Sequence, residues 1–396
     1  MGAMTSPLTL PMGFRYFGKN IGIKDNSKDF GGILSDTPCN AAAVFTKNTM
    51  PGAPIIVGRK HVANGRLQAI VVNSKNANVA TDLQGIEDCQ TICQVVAREC
   101  GIDSDLILPS STGVIGKRLP MTIIRRGCEN LLQSFAAGET ALRDFATSIM
   151  TTDTREKIIS AKVGNAAIVG VAKGAGMIEP NMATMLSYFI TDADIDSHHL
   201  KTLLTRCVNQ SFNRVSVDTD TSTSDTVAIL ANGQAGAVDL ADFEKTLCEM
   251  SVYLAKEIAR DGEGATKLIE LTVSGAQSAE QALLIAKSCI NSPLVKTAIY
   301  GADPNWGRFV MAIGKVYQYQ VDIAQVTIWF GRGDERLGIN ARLLDAEKVR
   351  LQDISALLKR AEVFIEIELG DGKFSETVWG CDLTEGYVQV NAHYTT

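Results

Sequence analysis

The chain has 396 residues, 45% hydrophobic and 21% charged, with a formal net charge of -6. That length leaves room for two domains and a large core, and the acidic balance argues against nucleic-acid binding, which shows as a basic face. No apolar stretch approaches the roughly 20 residues of a membrane helix. The start Met1-Gly2-Ala3-Met4 lacks the basic and apolar regions of a signal peptide, so a cytoplasmic protein is expected, with Met4 as its native first residue.

In chain order, apolar runs at 42–46 and 69–73 predict short strands, the second running into the polar stretch 74–78. Ile92, Val95, Val96 and Cys100 fall at helical spacing and predict a helix over 87–100, stopped at Gly101. A strand at 107–108 leads into the Ser/Thr/Gly-rich loop 109–116, followed by a helix over 140–150. Strands at 166–172 and 185–190 flank a segment rich in Gly, Pro and Asn. Helices are predicted over 199–210 and 240–260, with a strand at 227–230 between them. Beyond the turn-rich stretch 260–266 come a strand at 268–273, helices at 279–290 and 306–315, a strand at 326–330 and a helix at 354–361. Strands at 363–369, 376–381 and 387–391 complete the pattern, a mixed α/β chain without internal repeats.

Nine cysteines are scattered without a C-x-x-C pair, and the four histidines show no ligand spacing, so no metal site is expected. Cys89 and Cys93 share a helix face, where cysteine is a common small core residue. Asp218, Asp220 and Asp225 alternate with Ser and Thr and read as a polar loop. Lys173-Gly174-Ala175-Gly176 lacks the third glycine of a dinucleotide loop, and 262–267 is no P-loop, so no cofactor is implied.

The most specific stretch is Lys173-Gly174-Ala175-Gly176-Met177-Ile178-Glu179-Pro180-Asn181-Met182-Ala183-Thr184-Met185-Leu186, which places a hydroxyl at the opening of an apolar strand. Alone, Thr184 would be a β-branched strand residue. The stretch closely resembles the self-cleavage segment of the ornithine acetyltransferase family. By that resemblance the chain breaks between Ala183 and Thr184, and Thr184 becomes both a new N-terminus and the nucleophile. The chemistry is coherent: a threonine hydroxyl needs a base, and an N-terminal threonine carries one in its α-amine, of unperturbed pKa about 7.7–8.0.

Other segments extend the resemblance from about Gly13 to Thr396. Ser110-Ser111-Thr112-Gly113-Val114-Ile115-Gly116 is similar to the family's oxyanion segment, which implies the Thr112 hydroxyl and the Gly113 N–H as donors; standing alone it would be a Ser/Thr-Gly turn. Lys173, otherwise a loop lysine, matches a lysine that orients substrate. Thr151, otherwise a cap or turn residue, matches a substrate-binding threonine. Glu263, between glycines, matches a carboxylate facing the amino end of the substrate. Asn391 and Thr396 match the family's terminal substrate-binding pair. Two departures, Thr219 and Ser224 within 217–225 and Val79-Ala80 after Asn78, resemble the branch associated with clavulanic acid biosynthesis rather than arginine-pathway members.

The resemblance implies an α/β (α+β) fold with an αββα-like core of stacked sheets flanked by helices, of the N-terminal-nucleophile type. The expected domains are a core over 5–272 and a smaller α/β lobe over 273–396. The expected activity moves acetyl from N2-acetylornithine to glutamate by a ping-pong route, with no cofactor unless acetyl-CoA serves as a donor. The alternatives are an N-terminal-nucleophile aminopeptidase or amidase, a specialised-metabolism acetyltransferase with another acceptor, and a non-catalytic binding protein. Small-molecule substrates are the expected partners, without nucleic acid or membrane, in a heterotetramer of two copies of each processed chain.

Overall fold

The computed structural model describes residues 7–179, 185–341 and 351–393, so Ala183, Thr184 and Thr396 lie outside the described residues. The chain divides into two compact units, one of Met1–Asn213 with Asp220–Ile258, the other of Arg214–Thr219 with Ala259–Thr396. The strands are β1 (Phe14–Lys19), β2 (Phe30–Phe45), β3 (Arg66–Asn73), β4 (Ile107–Ser111), β5 (Lys157–Val163), β6 (Ala166–Lys173), β7 (Leu186–Ala193), β8 (Val215–Ser216), β9 (Thr226–Gly236), β10 (Leu268–Ala276), β11 (Thr327–Phe330), β12 (Leu337–Asn340), β13 (Glu362–Glu368) and β14 (Phe374–Cys381). The helices are α1 (Ala53–His61), α2 (Asp82–Cys100), α3 (Met121–Gly127), α4 (Glu139–Ser148), α5 (Ser197–Gln210), α6 (Leu240–Arg260), α7 (Ala279–Ile290), α8 (Pro293–Tyr300), α9 (Trp306–Gly314), α10 (Leu351–Leu358) and α11 (Glu385–Ala392).

In the first unit an eight-stranded mixed sheet runs β4-β3-β2-β9-β7-β6-β5, with β1 also on β2. β6 and β7 are buried along their whole length, in keeping with their mainly apolar runs. β2 is long enough to serve both halves. Its first part pairs with β1 and β3; its register on β3 then shifts between Leu34 and Cys39, and residues 40–45 pair with β9. One core cluster joins Ile33, Ile70 and Leu108 from the β3/β4 end to Val171, Leu186 and Tyr188 from the β6/β7 end, so the sheet folds over on itself around a shared interior. Helices α2 and α3 cover the opposite face of the β3/β4 end, where Ile92, Val96 and Ile124 pack on Val71 and Ile107. α2 stops at Gly101, which takes the left-handed conformation at φ 69. A disulfide between Cys207 and Cys248 ties α5 to α6.

The second unit holds a six-stranded sheet of order β12-β11-β13-β10-β14-β8, in which β10 pairs in parallel with β13 and antiparallel with β14. Its core joins Ile269, Leu271 and Ile365 on strands to Ile285, Ile299 and Phe309 on helices.

One expectation is corrected. The run 387–391, where Val388 and Val390 favour a strand, lies within helix α11; the Thr384 side chain accepts the Gly386 N–H and starts the helix instead. In the chain the second unit resumes at Ala259, and β10 is hydrogen-bonded on both sides within its sheet. Among the described residues, no single helix is long and apolar enough to cross a membrane.

Candidate active site

β4 runs parallel to β3, and the loop after it is sewn to the loop after β3. Thr112 N–H donates to the Asn73 carbonyl at 3.0 Å, Val114 N–H to Lys75 at 2.9 Å, and Ala77 N–H to Val114 at 3.0 Å. Side chains lock the same pair of loops: Ser111 Oγ donates to Asn73 Oδ1 at 2.6 Å, and Asn73 Nδ2 to the Asn76 carbonyl at 2.8 Å. Gly113 is required here. Its φ is 128, and a Cβ at that position would come within 2.3 Å of the Lys75 carbonyl group.

Lys173, the last residue of β6, is buried and brings two threonines together. Its Nζ donates to Thr151 Oγ1 at 3.0 Å and to Thr112 Oγ1 at 3.3 Å. A hydroxyl that accepts from an ammonium turns its own proton elsewhere, so both threonines remain donors. Behind this trio lies Asp153, also buried. One oxygen of its carboxylate accepts Lys157 Nζ at 2.8 Å and the Gly174 N–H at 2.6 Å; the other accepts the Thr151 N–H at 3.1 Å and stands 3.9 Å from Lys173 Nζ. Burial alone would raise the Asp153 pKa, but the two lysines and the amide hydrogen bond hold it well below the usual carboxylate range. Asp153 is therefore an anion that fixes Thr151, Lys173 and the turn at Gly174 at once. Sequence reasoning missed Asp153 and Lys157, although Asp153 lies only two residues after Thr151.

The segment that follows Lys173 is anchored at Glu179, whose N–H donates to the Asp220 carbonyl at 3.0 Å and whose carbonyl accepts Thr221 Oγ1 at 2.9 Å. The chain re-enters the sheet at Met185, whose carbonyl accepts the Thr226 N–H at 2.9 Å, and β7 then pairs Leu186 with Lys173 on one side and with Thr226 on the other. Asp225 is buried beside this entry, and among the described residues its Oδ2 has no hydrogen-bond partner. Burial pushes its carboxyl pKa well up, against the hydrogen bonds of Ser222 and Thr46 and the charge of Lys173. The carboxylates 218, 220 and 225 form no metal-binding group among the described residues.

Thus Thr112, Gly113, Thr151 and Lys173 come together in the first unit. In the second, Glu263 and Asn391 meet: Asn391 Nδ2 donates to Glu263 Oε2 at 2.7 Å, on a turn where Gly264 lies against Gly386 and Tyr387 of α11.

The ArgJ family model matches residues 15–396. The chain is similar to arginine biosynthesis bifunctional protein ArgJ 2 of Clostridium acetobutylicum, 48% identical over 391 residues and 98% of each chain. It is also similar to glutamate N-acetyltransferase Oat2 of Streptomyces clavuligerus, 45% identical over 390 residues and 98% of each chain. Among solved structures, ornithine acetyltransferase of Mycobacterium tuberculosis, complexed with ornithine, matches 44% of this chain and 95% of its own, at 32% identity and a TM-score of 0.41.

Proposed function

Because this chain belongs to the ArgJ family, we propose that it is a self-processing acetyltransferase that carries acetyl from N2-acetylornithine to glutamate on Thr184. The observation that carries this reading is the Lys173 ammonium, which holds the Thr112 and Thr151 hydroxyls together at the start of the segment leading to Thr184.

Processing comes first. The Thr184 hydroxyl attacks the Ala183 carbonyl, the peptide C–N bond breaks as the ester forms, and water hydrolyses that ester to leave an Ala183 carboxylate and a Thr184 amine. In turnover the Thr184 oxygen attacks the acetyl carbonyl of acetylornithine while the α-amine takes its proton. The Thr112 hydroxyl and Gly113 N–H donate to the oxyanion; a single such donor is worth about 2.7–4 kcal/mol in a protease. Ornithine leaves with that proton. The glutamate amine then attacks the acetyl ester, and the Thr184 oxygen regains a proton as N-acetylglutamate departs. Lys173, Thr151, Asn391 and Thr396 hold substrate, and Glu263 faces its amino end. Two copies of each processed chain make up the assembly, a composition that native mass spectrometry reads directly.

The test combines processing and turnover. Thr184→Ala is expected to remain one uncut chain without transfer, and Thr184→Ser to cut, as read by denaturing mass spectrometry. Wild-type protein that transfers acetyl while uncut would overturn the mechanism. Processed protein that releases no ornithine from N-acetylornithine and glutamate would overturn the substrates, and acyl-amino-acid hydrolysis indifferent to glutamate would make water the acceptor.

A further inference from the structure

Two lysines outside this set stand against it. The loop between β1 and β2 is built around fully buried Asp29, whose carboxylate accepts the N–H groups of Ile21 at 2.8 Å, Ile23 at 2.7 Å and Lys24 at 2.8 Å. The loop so held places Lys24 Nζ on the carbonyls of Met150, at 2.7 Å, and Lys28, at 3.2 Å. Met150 precedes Thr151, so the Lys24 ammonium lies one peptide unit from the residue that accepts from Lys173. An ammonium has three N–H groups, and these two carbonyls leave one position open.

Lys75 lies in the loop after β3, on the stretch that holds Gly113. It is exposed, yet its φ is 83, a conformation that residues with a side chain keep only where their surroundings impose it, often at functional sites. Its carbonyl accepts the Val114 N–H at 2.9 Å, and its backbone is the surface against which Gly113 packs. The lysines sense one another. Burial first, and then repulsion from Lys173 and Lys75, pull Lys24 down to about 8 against the opposing charges of Asp29 and Asp153. Cations that repel one another are relieved by an anion among them.

The two amino acids of the reaction share an α-carboxylate and differ at the far end, where ornithine carries an ammonium and glutamate a second carboxylate. We propose that Lys24 and Lys75, beside Lys173, form a cationic subsite that binds this second carboxylate and so selects a dicarboxylic acceptor. The proposal rests on the acetyl-transfer reading above.

Glutamate and glutamine are the acceptors that test it, because they match in α-amine, α-carboxylate and length, and differ only in the charge at the end. In Lys75→Gly, and independently in Lys24→Met, the ratio of kcat/KM for glutamate to that for glutamine is expected to fall about tenfold or more, the loss typical of a charge-assisted hydrogen bond. Lys24→Arg, which keeps the cation, is expected to retain the ratio. Because Lys75 is exposed, its variant remains informative even where Lys24→Met fails to fold. A ratio that stays fixed while both acceptors lose rate equally would overturn the subsite. Should wild type transfer acetyl to no amine, the reaction reading fails, and calorimetry on processed enzyme still decides the subsite. Tighter binding of glutarate than of its monoamide, lost in Lys75→Gly, upholds it; equal binding of the two in wild type overturns it.

Discussion

At Asp153 one carboxylate serves two lysines and two backbone amides, and the lysine 2.8 Å away has no exposed side-chain surface. Asp153→Asn keeps the shape and removes the charge, which at a buried ion pair costs about 3–5 kcal/mol. Chemical denaturation is expected to show that loss at pH 7. Because the folded pKa of Asp153 is depressed, its stabilisation is present above the unfolded value near ~3.9 and fades as pH falls through and below it, so the variant and wild type converge in acid. Asp225 has the opposite sign. Its folded pKa is raised, so its contribution is complete below the unfolded value and is lost as pH rises toward the folded one. The thermal midpoint of Asp225→Asn relative to wild type is expected to improve from pH 4 to pH 8; a difference that is flat or declines over that range would contradict a neutral buried acid. Thr112 and Lys173 stood out in the sequence because each sits in a stretch that resembles a family motif. Lys157 did not, since its meeting with Asp153 depends on how a turn leads into β5.

The loop after β4 draws its precision from a neighbour that is itself a loop, the stretch after β3. Gly113→Ala tests that coupling, because the added methyl would collide with the Lys75 backbone at 2.3 Å in a conformation already unfavourable for alanine. Transfer is expected to drop by about 100-fold or more in kcat, as when an oxyanion donor is lost, while circular dichroism stays that of a folded chain. Near-normal kcat would remove Gly113 from the oxyanion role. Among the elements, β6 and β7 were readable from their apolar runs, and α7 from its helical period. The helix α8 was hidden because Pro293 reads as a breaker. It occupies the first turn, where it needs no N–H, and Ser292 caps it by accepting the Val295 N–H. The final helix α11 was misread for the converse reason: its β-branched residues favour a strand, whereas its cap at Thr384 and the Tyr387 backbone packing on Gly264 hold a helix.

For the molecule as a whole, alternation of helices and strands identified a mixed α/β chain, but not which sheet each strand joins. The partners of β10 lie about a hundred residues further on, at β13 and β14, and only those long-range pairings assign it to the second unit. The strand order of the first sheet has a further consequence. β7 and β9, which follow the proposed cut, are adjacent to each other and lie between β2 and β6, which precede it. Once the Ala183–Thr184 bond is broken, two polypeptides share one hydrogen-bonded sheet, and neither can leave without opening it. Mature protein unfolded in denaturant should therefore regain structure at a rate that slows on dilution, because separate fragments must first meet, whereas uncut Thr184→Ala should refold at a rate independent of concentration. Stopped-flow refolding across a dilution series measures the difference. Self-processing would thus confine unaided folding to the precursor: the uncut chain is its own template, and the finished enzyme, once lost to denaturation, depends on an encounter.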